Sequence, residues 1–463
     1  MPRYFCVHGH FYQPPREDPF TGQVPLELGA EPYSNFNEKI TAECYGPNAQ
    51  VGNFERISFN LGGTLAAWLA RYAPDTYQRI VAADRVNLVM SGLGNALAQS
   101  VHHTILPLAN ERDKRTQVRW GIASFRYRFG HDPLGMWLPE MAVDLATLQV
   151  LVDHGIKYTI LSPEQLRTPV RGAGPYRIRL DTRRSIAVFV RDAPLSNSLS
   201  FDMGRYANAS AWVRERLLGD PPGSLTLVAT DGETFGHHHR NGVEFLWSLL
   251  TRELPRAGYQ VTHLNAYLSE HAPHADVEVI EGTSWSCWHG LARWSTGCAC
   301  TEGAGAWKGA LRTALTTLAD QLDGVFEEGL TGLVRDPWQV RDDYIQVVLG
   351  IVHGPQFVHR YALRALTTAQ TGRVLSLLRM QLLRQRMYAS CTFFFEELTR
   401  PEPRYAIANA VRAIQIAQRT LGVDLMPRFR SDLEQARSIT TRKTGADLLD
   451  EIVAWGLSYG DGQ

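Results

Sequence analysis

The stretch "LTLVATDGETFGHHH", residues 225–239, passes without a break from an apolar strand pattern into a polar turn. Six residues, Leu225 to Thr230, carry the continuous apolar character of a strand covered on both faces. The run stops at Asp231, with Glu233 two residues on, Gly232 and Gly236 free to turn tightly, and His237 to His239 supplying proton-carrying groups. Four further runs share the strand character: "RYFCVH" (Arg3 to His8), "VNLVMS" (Val86 to Ser91), "YTILS" (Tyr158 to Ser162) and "SIAVFVRD" (Ser185 to Asp192). Helical patterns lie between them, such as "LATLQVLVDHG", where Leu145, Leu148, Leu151 and Val152 share a face and Gly155 is placed to close the helix. Buried strands alternating with helices predict a parallel sheet covered on both sides, closed as a barrel or open and doubly wound. In both architectures the chemistry sits on loops after strand C-termini. His8, His10 and Asp231 fall at such ends.

The 463 residues exceed the length of a single compact core, so a second layer or lobe is expected. Lysine plus arginine and aspartate plus glutamate balance at 47 each, which withholds the basic footprint of a nucleic-acid binder. No apolar run is long enough to span a bilayer. The N-terminal "MPRYFCVHGHF" reads as a first strand rather than a signal peptide, so a cytoplasmic location is expected.

The character of the chain changes twice. Residues 276–305 form a connector rich in glycine, with Trp285, Trp288, Trp294 and three of the six cysteines, Cys287, Cys298 and Cys300. The spacing C-x10-C-x-C lacks the paired C-x2-C of many zinc sites, and although His289 is near, these residues read as reduced, partly buried thiols. From residue 306 onward "AWKGALRTALTTLADQLD", "TGRVLSLLRMQLLRQRM" and "RYAIANAVRAIQIAQRTLG" show helical spacing with no strand between them. The expected organisation is a catalytic α/β domain over 1–275, the connector, and a helical bundle over 306–463.

In "GMWLPE", residues 135–140, Glu140 stands beside Trp137 and Pro139. An indole next to a carboxylate suits a sugar site, because the ring stacks on the apolar sugar face while the carboxylate reaches the reacting atoms. A plainer reading has Glu140 opening the helix that contains Leu145, since acidic residues favour helix N-termini. Two carboxylates on separate strand ends meet the requirement for cleaving a glycosidic bond, one attacking the anomeric carbon or activating water and the other protonating the leaving oxygen.

"HGHFYQPP", "HHTILPL", "GMWLPE" and "TDGETFGHHH", in this order, resemble the successive motifs of glycoside hydrolase family 57, whose members act on α-glucans. "CTFFFEEL" (Cys391 to Leu398) and "GTSWSCWHGLARW" extend the resemblance into the helical region and the connector. The resemblance implies an incomplete, seven-stranded (β/α) barrel followed by an α-helical domain, and a retaining double displacement on an α-glucan or maltooligosaccharide. Glu140 matches the family's nucleophile, which stays ionised. Asp231 matches its acid/base, about 5–5.5 Å away with a raised pKa. His8, His10, His103, Trp137, Glu233 and His237 are implied as substrate contacts, and Trp285, Trp288 and His289 as further subsite residues. The chemistry requires no cofactor. One departure concerns the strand before "H-x-I-L-P-L": many relatives end it on a carboxylate, whereas "VNLVMSGLGNALAQS" has none.

Two other classes compete. His8-Gly9-His10 with Asp231 could hold a divalent ion in a metal-dependent hydrolase or carbohydrate deacetylase, although convincing third and fourth ligands are missing. A carbohydrate-binding protein that has lost activity is the other, against which stands the presence of both carboxylates.

Overall fold

A computed structural model describes residues 3–217 and 224–458. The chain divides into two compact units that no single cut along the sequence separates. Residues 1–13, 26–101 and 125–286 build the first; residues 14–25, 102–124 and 287–463 build the second, so two segments of the N-terminal half belong with the helices.

Nine strands lie among the described residues of the first unit: β1 Arg3–Phe11, β2 Ser58–Leu61, β3 Ala96–Gln99, β4 Met136–Trp137, β5 Tyr158–Leu161, β6 Tyr176–Arg179, β7 Ser185–Val190, β8 Leu225–Asp231 and β9 Tyr259–Val261. They pair as two sheets, one ordered β4-β3-β2-β1-β8 with β9 also on β1, the other β5-β7-β6. Every pairing is parallel except β6 with β7. The sheets approach each other at two places. Gly135 bridges to Tyr158 beside β4 and β5, and Asp192 donates its N–H to Leu227 O, 2.7 Å away, beside β7 and β8. Side chains from six strands share one core, including Cys6, Leu97, Trp137, Ile160, Phe189 and Leu227. The parallel α/β architecture is as expected; the strands form two sheets rather than one continuous ring of seven.

The run Val86–Ser91 is not a strand. It ends an 18-residue helix, Pro74–Ser91, that starts on a proline and closes on Gly92 in the left-handed region. Val89 and Met90 are exposed, so the apolar letters that suggested a buried strand face water. The strand is instead "ALAQ", β3, entirely buried and ending on Gln99.

In the second unit the long helices are Trp307–Leu330, Thr368–Arg386 and Pro401–Leu421. Thr367 and Gln370 form a capping box at the start of the second, and Gly422 closes the third in the left-handed conformation. The unit encloses charges as well as apolar side chains. Asp113, on the helix Glu111–Phe129, accepts from Arg341 (2.8 Å), Arg384 (2.5 Å) and Gln385 (2.6 Å). Arg384 also donates to Asp323 at 2.7 Å. Burial alone would raise the Asp113 pKa, but the two guanidinium groups outweigh it and hold the carboxyl below its ordinary range. Both arginines are essentially without exposed surface.

Removing one member of such a network strands the others in a dry interior. The Arg384→Met variant is expected to lose about 3 kcal/mol of stability, read as a lower denaturant midpoint for the helical unit. An unchanged midpoint would show that the network contributes specificity and no stability.

Candidate active site

The strand register assembles the site. On β1, His10 lies opposite Asn60 of β2 on one side and Asp231 of β8 on the other, while Gln99 of β3 lies opposite Trp137 of β4. These are strand C-terminal ends, where the buried backbone hands over to loops. Asn60 ties them laterally. Its side-chain oxygen is 3.1 Å from His8 Nε2 and 3.2 Å from His10 Nδ1, and its Nδ2 donates to Gln99 Oε1 at 2.5 Å. Where a carboxylate would be charged, Gln99 accepts this bond as a neutral amide.

Trp137 lies flat against both imidazoles, with ring centroids 4.9 Å from His8 and 4.8 Å from His10 and interplanar angles of 12° and 18°. Burial drives both histidines to about 3, against the upward pull of Asn60. They are neutral at physiological pH and serve as hydrogen-bonding plates rather than cations. His8 and Trp137 have no exposed surface at all.

Glu140 does not open the following helix. That helix is Leu145–Asp153, capped by Asp144, whose side chain accepts from Thr147 N. Glu140 sits before it in a single turn, Pro139–Met141, with φ 58° and ψ 20°, and Met141 also has positive φ. Two successive non-glycine residues in the left-handed region cost of order 1–3 kcal/mol each and persist only where the surroundings over-determine them. Here Met141 N bonds Leu138 O, Ala142 N bonds Pro139 O, Trp285 N bonds Glu140 O, and Gln165 Nε2 bonds Met141 O. The carboxylate is held from the same segment. Trp285 Nε1 donates to Oε2 at 3.1 Å and Ser286 Oγ donates to it at 2.7 Å. The Trp285 ring meets Trp137 edge to face, with centroids 5.2 Å apart.

Asp231, the last residue of β8, is reached by water yet ringed by protein groups. Lost hydration and then the charge of Glu140 raise its pKa to about 7, against the pull of Arg191. This leaves a carboxyl that carries a proton near neutral pH beside a second carboxyl.

Arg191 was not among the residues the sequence singled out. It follows β7 directly, donates to Ser162 Oγ (3.0 Å) and Asn197 Oδ1 (3.2 Å), and places its guanidinium 5.3 Å from the Trp285 ring centroid. A charged residue ending a buried strand was the available signal.

The remaining predicted contacts are placed as follows. Glu233 is buried, accepts from Tyr45 Oη and is 3.5 Å from Gln13 Nε2; desolvation and the Asp231 charge raise it to about 8. His237 pairs with Glu43 and His239 with Ser200 O, so the adjacent histidines diverge. Gly236 has φ +134°, and a Cβ there would lie 2.3 Å from Glu43 O, which makes the turn specific to glycine. In the second unit His103, buried and with φ 54°, pairs with Ser390, whereas Trp288 is 87% exposed. His289 Nδ1 lies 3.2 Å from Cys300 Sγ. Among the described residues, His8, His10 and Asp231 form no cluster with metal-ligand spacing; the connector alone contains one.

The family model described as glycosyl hydrolase family 57 matches residues 12–279, and a domain of unknown function, DUF3536, matches residues 304–456. Alpha-amylase 1 of Dictyoglomus thermophilum is 22% identical over 241 residues, 50% of this chain and 32% of that protein. A probable 1,4-alpha-glucan branching enzyme of Mycobacterium tuberculosis is 26% identical over 259 residues, 44% of this chain and 48% of that one. The matched region thus spans a third to a half of the length of these curated relatives. An exo-type maltose-forming amylase from Pyrococcus sp. ST04 shares the fold with a TM-score of 0.76 at 15% identity, covering 98% of this chain and 88% of that one. The 4-alpha-glucanotransferase of Thermococcus litoralis follows with a TM-score of 0.57 at 17% identity, covering 91% and 60%.

The electrostatics are testable without a substrate. In protein with 13C-labelled aspartate, Asp231 is expected to titrate near 7, to move down in Glu140→Gln, where a repelling charge is lost, and to move up in Arg191→Gln, where an attracting charge is lost. A titration unmoved by either substitution would show that these charges do not act on Asp231.

Proposed function

The chain belongs to glycosyl hydrolase family 57, and from that premise we propose that it is a retaining α-glucan-active glycosidase or transglycosidase with Glu140 as nucleophile and Asp231 as acid/base. The two sheets correspond in this reading to a seven-strand barrel interrupted beside β4 and beside β7. The observation that carries the assignment is the contrast between the two carboxyls. Asp231 carries a proton near neutrality, while Glu140 is held by two donors, the Trp285 indole and the Ser286 hydroxyl, on its Oε2. A carboxyl that keeps its proton near neutral pH beside a second carboxyl is the pattern of the acid in glycosidic cleavage.

In the first half-reaction Glu140 attacks the anomeric carbon as Asp231 passes its proton to the leaving oxygen. In the second, Asp231, now ionised, takes a proton from the acceptor hydroxyl as that oxygen displaces Glu140. Water as acceptor gives hydrolysis and a sugar hydroxyl gives transfer. Trp137, His8 and His10 act from behind the surface, as a rigid stack that fixes the β1 and β4 ends. The amylase, branching-enzyme and glucanotransferase relatives support α-glucan as the substrate class.

The reading predicts that Glu140→Gln loses several orders of magnitude in turnover of amylose or maltooligosaccharides while remaining folded. Asp231→Asn is expected to regain activity with azide on a substrate whose leaving group needs no protonation, yielding a glycosyl azide. Because Asp231 must enter protonated, kcat/KM should fall about tenfold per pH unit above its pKa near 7. Products chromatographed from wild type and Glu140→Gln provide the check, with the anomer of the first product read by NMR. Inversion, or full turnover by Glu140→Gln, would overturn the mechanism.

A further inference from the structure

The connector cysteines are independent of the carboxylate chemistry, and the structure gathers them. Cys287 Sγ lies 3.6 Å from Cys298 Sγ and 3.8 Å from Cys300 Sγ, and His289 Nδ1 lies 3.2 Å from Cys300 Sγ. All four atoms fall within 4.8 Å of one another. We propose that Cys287, His289, Cys298 and Cys300 bind a single zinc ion in a closed tetrahedral site of three thiolates and one imidazole.

The distances select the occupant. Four ligands around zinc, with Zn–S about 2.3 Å and Zn–N about 2.0–2.1 Å, stand about 3.8 Å apart sulfur to sulfur and about 3.6 Å sulfur to nitrogen. The two sulfur–sulfur edges from Cys287, 3.6 and 3.8 Å, match that spacing, the His289–Cys300 edge is 3.2 Å, and all six fall within 4.8 Å. A disulfide needs its sulfurs about 2.0 Å apart. An iron–sulfur cluster interposes iron and sulfide between its thiolates and separates them further than this cluster allows. Three soft sulfurs with one imidazole are a zinc donor set, and four protein ligands leave no open position, which assigns the ion to structure rather than catalysis.

The local chain is built for two ligand pairs. Cys287-Trp288-His289 and Cys298-Ala299-Cys300 each bring two donors from alternate residues. Gly290, just after the first pair, and Gly297, just before the second, both have positive φ, 69° and 89°. A short helix, Ala292–Ser295, spans the interval. The other three cysteines, Cys6, Cys44 and Cys391, are buried, and among the described residues none of them belongs to a cluster with metal-ligand spacing.

Charge agrees with the assignment. Zinc displaces three thiol protons to solvent and binds neutral His289, which leaves the centre with one net negative charge. Arg293 Nη2 donates to Cys300 O at 3.4 Å, and the fully buried Lys308 has Cys287 and Cys298 among the groups acting on its charge. Glu396 also acts on the Lys308 charge, and a singly negative centre adds a second partner for it.

The test is metal content and cobalt spectroscopy on the full chain, purified in reductant and reconstituted anaerobically with zinc. One zinc per chain is expected by mass spectrometry of the elements, and exchange with Co2+ should give thiolate-to-cobalt charge-transfer bands and the intense visible bands of a tetrahedral ion. Cys298→Ser should fall to the blank level. If that variant aggregates, His289→Gln, at an exposed position, should stay soluble and show an altered cobalt spectrum. Zinc-free protein after reconstitution, a cobalt spectrum unchanged by His289→Gln, or a Cys287–Cys298 disulfide found on alkylation of native protein would each overturn the proposal. None of these readouts involves a glucan.

Discussion

Strand β1 is paired in parallel on both of its edges, and this constraint organises the first unit. Once β2 and β8 flank it in the observed register, His10 must stand between Asn60 and Asp231. From Phe5 to Phe11 the strand is buried, so its polar groups have to be satisfied by neighbouring strand ends rather than by water. Asn60 does this for His8 Nε2, His10 Nδ1 and Gln99 Oε1 at once, while His8 Nδ1 and Gln99 Nε2 stay buried without a hydrogen-bond partner. The low pKa of both histidines follows from the same burial, and their neutrality is what lets them stack on Trp137 without a buried charge to offset.

The turn at Glu140 shows how rigidity is distributed. Two left-handed residues in succession cost a few kcal/mol, comparable to the four backbone-anchored hydrogen bonds that surround them. Strain and restraint are therefore of similar size, and the carboxylate is aimed without a large net gain or loss. The donors that fix it arrive from Trp285 and Ser286, far away in sequence. The site is complete only when the chain has returned from its ninth strand.

Sequence patterns revealed what was long and local. β1, β5, β7 and β8 lie in longer apolar or β-branched runs and are legible; β2, "SFNL", carries Ser58 and Asn60, β3, "ALAQ", has no β-branched residue, and β4 has two residues, so none of the three reads as an apolar strand. Val86–Ser91 misled because β-branched and apolar letters do not say which way they face, and here a proline-initiated helix turns Val89 and Met90 to water. Glu140 and Asp231 were legible through their place beside Trp137 and after an apolar strand. Asn60 and Arg191 were not, since an amide and a guanidinium at strand ends acquire meaning only from partners more than 25 residues away. The division into units was hidden for a similar reason. The segment 102–124 joins the helices through Asp113, Gln117 and Trp120, whose partners lie beyond residue 340.

The segment from Thr283 to Ser286 holds the candidate nucleophile from one side. At one end Val143 bridges Thr283 and Gln165 reaches the Thr283 hydroxyl. In the middle Trp285 and Ser286 hold Glu140. The next residue, Cys287, is the first member of the thiol–imidazole cluster. A segment already fixed at Thr283 leaves the next two residues fewer conformations to lose when they bond a carboxylate, so the orientation of Glu140 draws on order established at that end. Without that anchor, the same two donors would have to be ordered by the carboxylate itself, and their hydrogen bonds would be weaker by that entropy.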